Sequence, residues 1–156
     1  MFEKLINMAP RKKSIELTSE EVIEVYQWVK SFKLSREIRN ISRDMTDGVL
    51  VAEILKQLYP KLVDLHNYTR CMATRNKLDN WRTLNRKVLH RLDIFLDENM
   101  IANLASGTNM ILEVLLFELM AKYSVEHLKH YQSVERLDCG NGKERPSNCE
   151  PGVQNP

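Results

Sequence analysis

The sequence contains few of the residues that interrupt helices or cross-link a chain. Only 5 glycines and 5 prolines occur among 156 residues, which favours a helix-rich globular protein. The three cysteines, Cys71, Cys139 and Cys149, are widely spaced, so that any disulfide scheme leaves one unpaired, and their spacing does not suit zinc. We therefore expect reduced thiols without a structural role, in one domain of ordinary size.

Long apolar runs are also missing. A membrane-spanning helix needs roughly 18 or more consecutive apolar residues, and no segment approaches that length. The opening residues, MFEKLINMAPRKKS, contain too short an apolar stretch for a signal peptide. The sequence thus predicts no membrane span and a location in the cytoplasm.

Motifs of enzyme active sites are absent as well. The sequence has no glycine-rich phosphate loop, GxSxG elbow, HExxH pair or calcium-loop spacing. His127 and His130 can share a helix face, but no third metal ligand lies near them in the sequence. The best group of carboxylates is Asp44, Asp47 and Glu53, and nearby arginines are expected to keep these acids ionised, which does not suit a general acid. We therefore predict a non-enzymatic protein without catalytic residues, cofactor or metal.

Hydrophobic periodicity predicts an all-α domain. The first helix begins near Thr18, which forms a capping box with Glu21, and Trp28 lies at the edge of its apolar stripe. A central helix over about residues 49–58 is apolar on almost all sides and is expected to be buried. A short helix that ends at Gly107 and a last apolar helix complete a set of about four main helices joined by shorter ones.

A third long helix is predicted from about Arg75 to Leu92. Trp81 lies on its apolar side. Asn85 falls on the same side, where its amide is expected to hydrogen-bond a neighbouring loop. The opposite, basic side includes Arg82, Arg86 and Lys87.

A basic connector lies between the first and the central helix, from Lys30 to Gly48. We expect Asp47 to cap the central helix through its carboxylate, and Gly48 to allow close backbone packing. The chain up to Arg91 holds 18 Lys and Arg against 11 Asp and Glu, whereas the remainder holds 5 against 10. This asymmetry suggests a basic face that attracts an acidic partner, although a merely solvated surface has the same composition.

The sequence divides into three segments. Residues 1–17 carry a PRKK cluster and are expected to form a flexible basic arm. The domain spans residues 18–123, and its last helix extends to about residue 137. Residues 138–156 are rich in Gly, Pro, Asn and Ser and are expected to form a disordered polar tail.

Several segments carry a family resemblance. YQWV, LSREIRNISRDMTDGVLVAE, YPKLVDLHNY and KLDNWRTLNRKVLHRLDI follow one another over about residues 18–123. They resemble the calponin-homology domain of the sperm flagellar protein 1 type, also called the calponin-homology and microtubule-associated protein type. The resemblance implies a single calponin-homology fold. The residues that carry its structural signature are Trp28, Asp44, Asp47, Gly48, Trp81 and Asn85.

The resemblance implies a protein that binds, stabilises or bundles microtubules. The expected location is the cytoskeleton of a cilium or flagellum, especially the central apparatus of the axoneme, or a cortical microtubule array. The expected partners are tubulin and other axonemal proteins. The expected contact residues are Arg36, Arg39 and Arg43 of the connector, with Arg82, Arg86 and Lys87 as a second group.

Two features depart from the family pattern. Glu37 and Ile38 stand where the family has proline and lysine, which predicts a weaker or differently shaped contact through this loop. The family usually continues into a coiled coil, whereas the apolar spacing after residue 123 does not predict one.

Two other classes of function follow from the same residues. One is an adaptor or scaffold that docks a protein partner, with actin as a special case, in an apolar groove. The other is nucleic-acid binding through the basic helix, because phosphates attract the same charges. No nucleic-acid motif accompanies those charges, and we expect no nucleic-acid partner.

Overall fold

The structure, a computed structural model, describes residues 16–108 and 110–138, with side chains up to residue 133. These residues form six α-helices and two short 3-10 helices, and no strand occurs among them. The α-helices are α1 (Ser19–Lys30), α2 (Ile41–Asp44), α3 (Val49–Leu58), α4 (Thr74–Lys87), α5 (Glu98–Ser106) and α6 (Ile111–Asp138). The prediction of an all-α domain with four main helices is confirmed. The predicted basic arm and polar tail lie almost entirely outside the described residues.

Helix α1 begins with the predicted capping box. Thr18 Oγ1 accepts the N–H of Glu21 at 3.2 Å, and the Glu21 carboxylate accepts the N–H of Thr18 at 2.8 Å. Val25 and Val29 are buried, and α1 packs along α6. The apolar stripe of α1 therefore closes one side of the core.

Helix α3 is the central helix of the core, as predicted. Five of its ten residues are fully buried, and the helix ends at Leu58, with Tyr59 as its C-cap directly before Pro60. The buried residues are Leu50, Val51, Ala52, Ile54 and Leu55. These side chains cover an arc of about 200° around the axis, and the remaining side carries Glu53, Lys56 and the exposed Gln57.

The start of α3 differs from the prediction by one residue. Gly48, and not Asp47, occupies the N-cap position, with φ at 74°, in the left-handed region that glycine adopts without steric cost. The Asp47 carboxylate nevertheless accepts the N–H of Val49 at 3.1 Å. Asp47 therefore still places negative charge at the positive end of α3, but from outside the cap position.

Helix α4 is shorter than predicted, and the expected end at Leu92 is wrong. The helix ends at Lys87, and Leu89–Leu92 form a 3-10 turn. Val88, Leu89 and Leu92 are all buried, so their spacing fits either a continued α-helix or a tight turn. The chain turns at this point because the following loop returns to α4, where the backbone of Leu96 pairs with the Asn85 amide.

Helix α5 has the expected start and stop signals. Asp97 accepts the N–H of Met100 at 2.7 Å, and Gly107 ends the helix with φ at 72°. A Cβ atom at Gly107 would lie 2.5 Å from the backbone oxygen of Ser42. The turn after α5 thus packs backbone to backbone on α2.

Helix α6 is 28 residues long and reaches the end that the sequence predicts. Its first half supplies Leu112, Leu115, Leu116 and Leu119 to the core, whereas most side chains from residue 126 to residue 133 are exposed. No single helix in the described part of the chain is both long and apolar enough to span a membrane, although α5 and α6 as far as Ser133 reach that length and composition as a pair bent by 110°.

Candidate functional site

The connector, which the structure delimits as residues 31–48, joins α1 to α3 and is irregular except for α2. Two side chains of α3 hold it. Glu53 accepts the backbone N–H of Ser35 at 2.9 Å and its hydroxyl at 2.6 Å. Gln57 donates to the carbonyl oxygen of Lys33 at 2.9 Å. The connector therefore lies against α3 in a defined position, although it has little regular structure.

Arg36 points inward, toward the start of α3. Its Nη2 atom lies 3.1 and 3.0 Å from the two carboxylate oxygens of Asp47, which is 3% exposed. The side chain of Arg36 itself is 26% exposed. Since a buried carboxylate without a partner is costly, this ion pair supports the fold at the same place where a partner contact was predicted.

Asp44 organises the rest of the connector. Its Oδ2 atom accepts the N–H groups of Arg39 and Asn40, both at 2.9 Å, and its Oδ1 atom accepts Arg43 Nε at 3.0 Å. The hydrogen bond from the Asn40 N–H, with those from Arg39 and Arg43, lowers the pKa of Asp44 to about 2, against a smaller opposing effect of desolvation. Asp44 is therefore expected to be ionised, as predicted, and the backbone N–H of Asn40 is the largest cause.

Arg39 and Arg43 face outward. The Arg43 side chain is 73% exposed even while it pairs with Asp44, and Arg39 is an exposed residue. Asn40 accepts the N–H of Arg43 at 3.0 Å and so caps α2, which fixes the backbone of both arginines. The connector thus presents two cations to solvent on a hydrogen-bonded backbone.

The three carboxylates that the sequence brings together have structural partners. Asp44 binds backbone N–H groups, Asp47 binds Arg36, and Glu53 binds Ser35. These contacts hold the connector in place. They differ from the arrangement of a general acid, which needs a carboxyl directed at a substrate.

The three residues of the second basic group differ in how accessible their charges are. Arg82 forms an ion pair with Glu98 at 3.0 Å and another with Asp79 at 3.6 Å, so it links α4 to α5. Arg86 and Lys87, at the end of α4, are exposed and form no ion pair with another described residue. Of this group, Arg86 and Lys87 are therefore the more accessible cations.

Three of the signature residues, Asp47, Gly48 and Trp81, lie at the junction between the connector and α3. Trp81 is fully buried, and its Nε1–H donates to the carbonyl oxygen of Thr46 at 2.7 Å. A Cβ atom at Gly48 would lie 3.4 Å from the Trp81 ring. Asn85 makes the predicted bonds to a loop, at 2.9 and 3.1 Å to the backbone of Leu96. Trp28 lies apart from this junction, half-buried, with its ring edge-to-face on Phe32.

Asn80 is a residue of this junction that the sequence analysis missed. It is 8% exposed, and its amide donates to the carbonyl oxygens of Asp47 and Thr69 at 2.9 and 2.8 Å. The available signal was its place four residues before Leu84, on the buried side of α4. Asn80 joins the start of α3 to the loop before α4.

A groove of about 680 Å³ lies between the second half of α1 and the connector. Its polar edge includes Lys30, Arg36 and Glu37. Its apolar wall consists of Tyr26, Val29, Phe32, Leu34, Ile38 and Ile41. This groove has the apolar lining that docking of a protein segment requires.

Comparison with known proteins gives consistent results. The family described as "CH-like domain in sperm protein" matches residues 25–121. Proteins named "Sperm flagellar protein 1" are 38% identical in Xenopus laevis over 122 residues and 37% identical in Homo sapiens over 118 residues. These alignments cover 78% and 76% of this chain and 53% and 50% of the relatives. The chain spans about half the length of the curated relatives it matches.

Proposed function

Since the chain belongs to the family of CH-like domains in sperm protein, we propose that it binds microtubules in the cytoskeleton of a cilium or flagellum and acts without catalysis. The relatives' name, sperm flagellar protein, supports this location. The proposed site in a cilium or flagellum is the axoneme with its central apparatus, and cortical microtubule arrays are the alternative location. The binding stabilises the polymer, and bundling requires a second binding site from a partner or another copy.

The observation that carries this proposal is the outward position of Arg39 and Arg43 on a fixed backbone. Asp44 and Asn40 hold the backbone of both residues, so little backbone entropy is lost when their side chains meet a partner. The outer surface of a tubulin polymer is strongly acidic. Cations that are already positioned suit such a surface through electrostatic complementarity.

Arg36 has a different part in this proposal. Its guanidinium is paired with Asp47, and its side chain as a whole is about three-quarters buried. Arg36 thus supports the connector, and Arg39 and Arg43 contact the polymer. Arg86 and Lys87 form a second, weaker contact at the end of α4.

Co-sedimentation with stabilised microtubules tests the proposal. Replacing Arg39 and Arg43 together by Gln removes two exposed charges and should weaken binding by up to roughly thirtyfold, since exposed charge pairs contribute up to about 1 kcal/mol each. The matched control replaces the exposed Lys61 and Lys129 by Gln, which removes the same charge elsewhere. Equal pelleting of the two double variants would contradict the assignment of the connector.

The groove beside α1 favours a second candidate function, that of an adaptor that docks a protein partner or actin. Its apolar wall is separate from the exposed arginines, so the two functions can be distinguished by substitution. Leu34→Asp alters the wall without changing Arg39 or Arg43. An adaptor predicts that Leu34→Asp abolishes partner binding while microtubule pelleting persists. Actin filaments pelleted in parallel decide whether actin is that partner.

A further inference from the structure

Ser35 is held against α3 by a carboxylate. Its N–H donates to Glu53 Oε2 at 2.9 Å, and its hydroxyl donates to Glu53 Oε1 at 2.6 Å. One helical turn further along α3, Gln57 bonds the backbone of Lys33, accepting from the N–H at 3.4 Å and donating to the C=O at 2.9 Å. The Ser35 hydroxyl makes the shortest of these contacts, all of which join the connector to α3.

The same serine is accessible and lies among cations. Ser35 is exposed, and residues 32–39 form no regular secondary structure. Lys33 and Arg36 flank it, and Arg39 follows four positions later. A protein kinase must draw its substrate segment into the active site, which an exposed loop permits and a helix opposes. Flanking cations are the feature that basophilic kinases recognise.

We propose that Ser35 is a phosphorylation site that controls the attachment of the connector to α3. A kinase transfers the γ-phosphoryl group of a nucleoside triphosphate to Ser35 Oγ. The bond from the γ-phosphorus to its bridging oxygen breaks, the P–Oγ bond forms, the nucleoside diphosphate leaves, and the hydroxyl proton passes to the catalytic base of the kinase. The phosphate adds a charge between about −1.5 and −2.

This modification replaces an attraction at Glu53 by a repulsion. The phosphorylated oxygen has no proton to donate, and the new phosphate oxygens are acceptors that lie next to an acceptor carboxylate. Arg36 is already paired with Asp47, so the exposed Lys33 is the adjacent cation that is available to the phosphate. Ser35 therefore leaves Glu53, and the connector is released from α3 at this point.

Ser42 provides an internal comparison. It also follows an arginine, in the sequence Arg39-Asn40-Ile41-Ser42, but it lies in α2 and is only partly exposed. Its hydroxyl donates to Glu113, which is 3% exposed. A kinase can reach Ser42 only if α2 unfolds from α6, whereas Ser35 is exposed and requires only the loss of its two hydrogen bonds to Glu53.

A kinase assay on the full chain tests accessibility. The chain is incubated with the catalytic domain of a basophilic kinase and ATP, and the modified residues are located by mass spectrometry. Phosphate should enter Ser35 at least about tenfold faster than Ser42, because Ser42 requires the unfolding of a helix and Ser35 only the loss of two hydrogen bonds. Ser35→Ala is the matched control and should remove that signal. Phosphate on Ser42 or on Ser14 of the RKKS sequence, with Ser35 unmodified, overturns the proposal.

Hydrogen exchange of the Ser35 amide tests the consequence in the absence of any partner. Ser35→Glu should accelerate this exchange by roughly tenfold, because the N–H loses its charged acceptor. Ser35→Ala keeps the N–H bond to Glu53 and should change exchange much less. Adding Glu53→Gln to Ser35→Glu removes the repulsion and should restore part of the protection. Equal exchange in Ser35→Glu and Ser35→Ala overturns the release mechanism.

An effect on microtubule binding would also be expected, and this step rests on the proposed function. A phosphate at Ser35 neutralises charge beside Arg39 and shifts the connector, so Ser35→Glu should pellet less than Ser35→Ala. The hydrogen-exchange measurement distinguishes the proposed phosphorylation site from the proposed microtubule binding. Accelerated exchange without any pelleting by the unmodified chain contradicts the proposed function and leaves the phosphorylation site standing.

Discussion

The indole N–H of Trp81 donates a 2.7 Å hydrogen bond to the carbonyl oxygen of Thr46, at the point where the connector turns into α3. A Cβ atom at Gly48 would meet the same ring at 3.4 Å, an ordinary contact distance, so the positive φ of 74° is what favours glycine at this position. The indole of Trp81 therefore contacts the connector at two positions, Thr46 and Gly48, directly before α3 begins.

Trp81→Ala should destabilise the domain by about 3–5 kcal/mol, because it removes a fully buried ring and leaves a cavity. Trp81→Phe fills most of that space but leaves the Thr46 carbonyl without its donor, which should cost about 1–3 kcal/mol. Urea denaturation followed by circular dichroism measures both values. A midpoint of Trp81→Phe equal to that of the parent chain would show that the hydrogen bond contributes nothing.

Arg36→Ala should reduce stability by about 2 kcal/mol, less than for a fully buried pair because Arg36 is one-quarter exposed. The loss arises because the Asp47 carboxylate stays buried without its cation. Arg39→Ala is the matched control and should stay within about 0.5 kcal/mol of the parent, since its side chain is at the surface. Thermal unfolding of both variants measures the two changes in stability. An equal loss of stability in the two variants would contradict the claim that the Arg36–Asp47 ion pair supports the fold.

Asp44 should make stability depend on pH in the acid range. Its folded pKa of about 2 lies below the ordinary value of 3.8, so the unfolded chain binds the proton more readily. The stabilisation is therefore complete above about pH 4 and is lost as pH falls through about 2. After allowance for solvent screening, we expect about 1 kcal/mol. Asp44→Asn should flatten this part of the stability profile between about pH 5 and pH 2, and an unchanged profile would assign the effect to other groups.

Microtubule binding should weaken when salt is raised from about 0.05 M to about 0.15 M, because the proposed contact joins exposed charges that salt screens. The variant with Arg39→Gln and Arg43→Gln should show a shallower dependence on salt than the parent chain. Pelleting at a series of salt concentrations gives both slopes. Parallel slopes would mean that other cations make the contact.

Local sequence patterns predicted much of the fold. The capping box of Thr18 and Glu21, the buried α3 and the stop at Gly107 each depend on residues close in sequence, and the structure confirms all three. The end of α4 could not be predicted in this way. It depends on a loop that returns to Asn85 from eleven residues away, while the local spacing of Val88 and Leu89 fits a longer helix.

The candidate site was predictable only in part, because the charge of a residue does not show which way its side chain points in the fold. Arg36 and Arg39 look alike in the sequence, yet Arg36 points to Asp47 and Arg39 to solvent. Their different environments depend on where α3 lies relative to the connector. The contribution of Asn80 was missed for the same reason, since both of its carbonyl partners are at least eleven positions away.

The contact of Gly107 with Ser42 has a mechanical consequence. It joins two backbones, and a backbone has no rotamers with which to absorb a displacement. The end of α5 and the short helix α2 are therefore held at a fixed distance. Ser42 also joins α2 to α6 through its hydrogen bond to Glu113, and α6 is about 42 Å long with an exposed stretch from residue 129 to residue 133. A partner that binds this stretch therefore contacts a helix whose start is joined to the arginine-bearing loop.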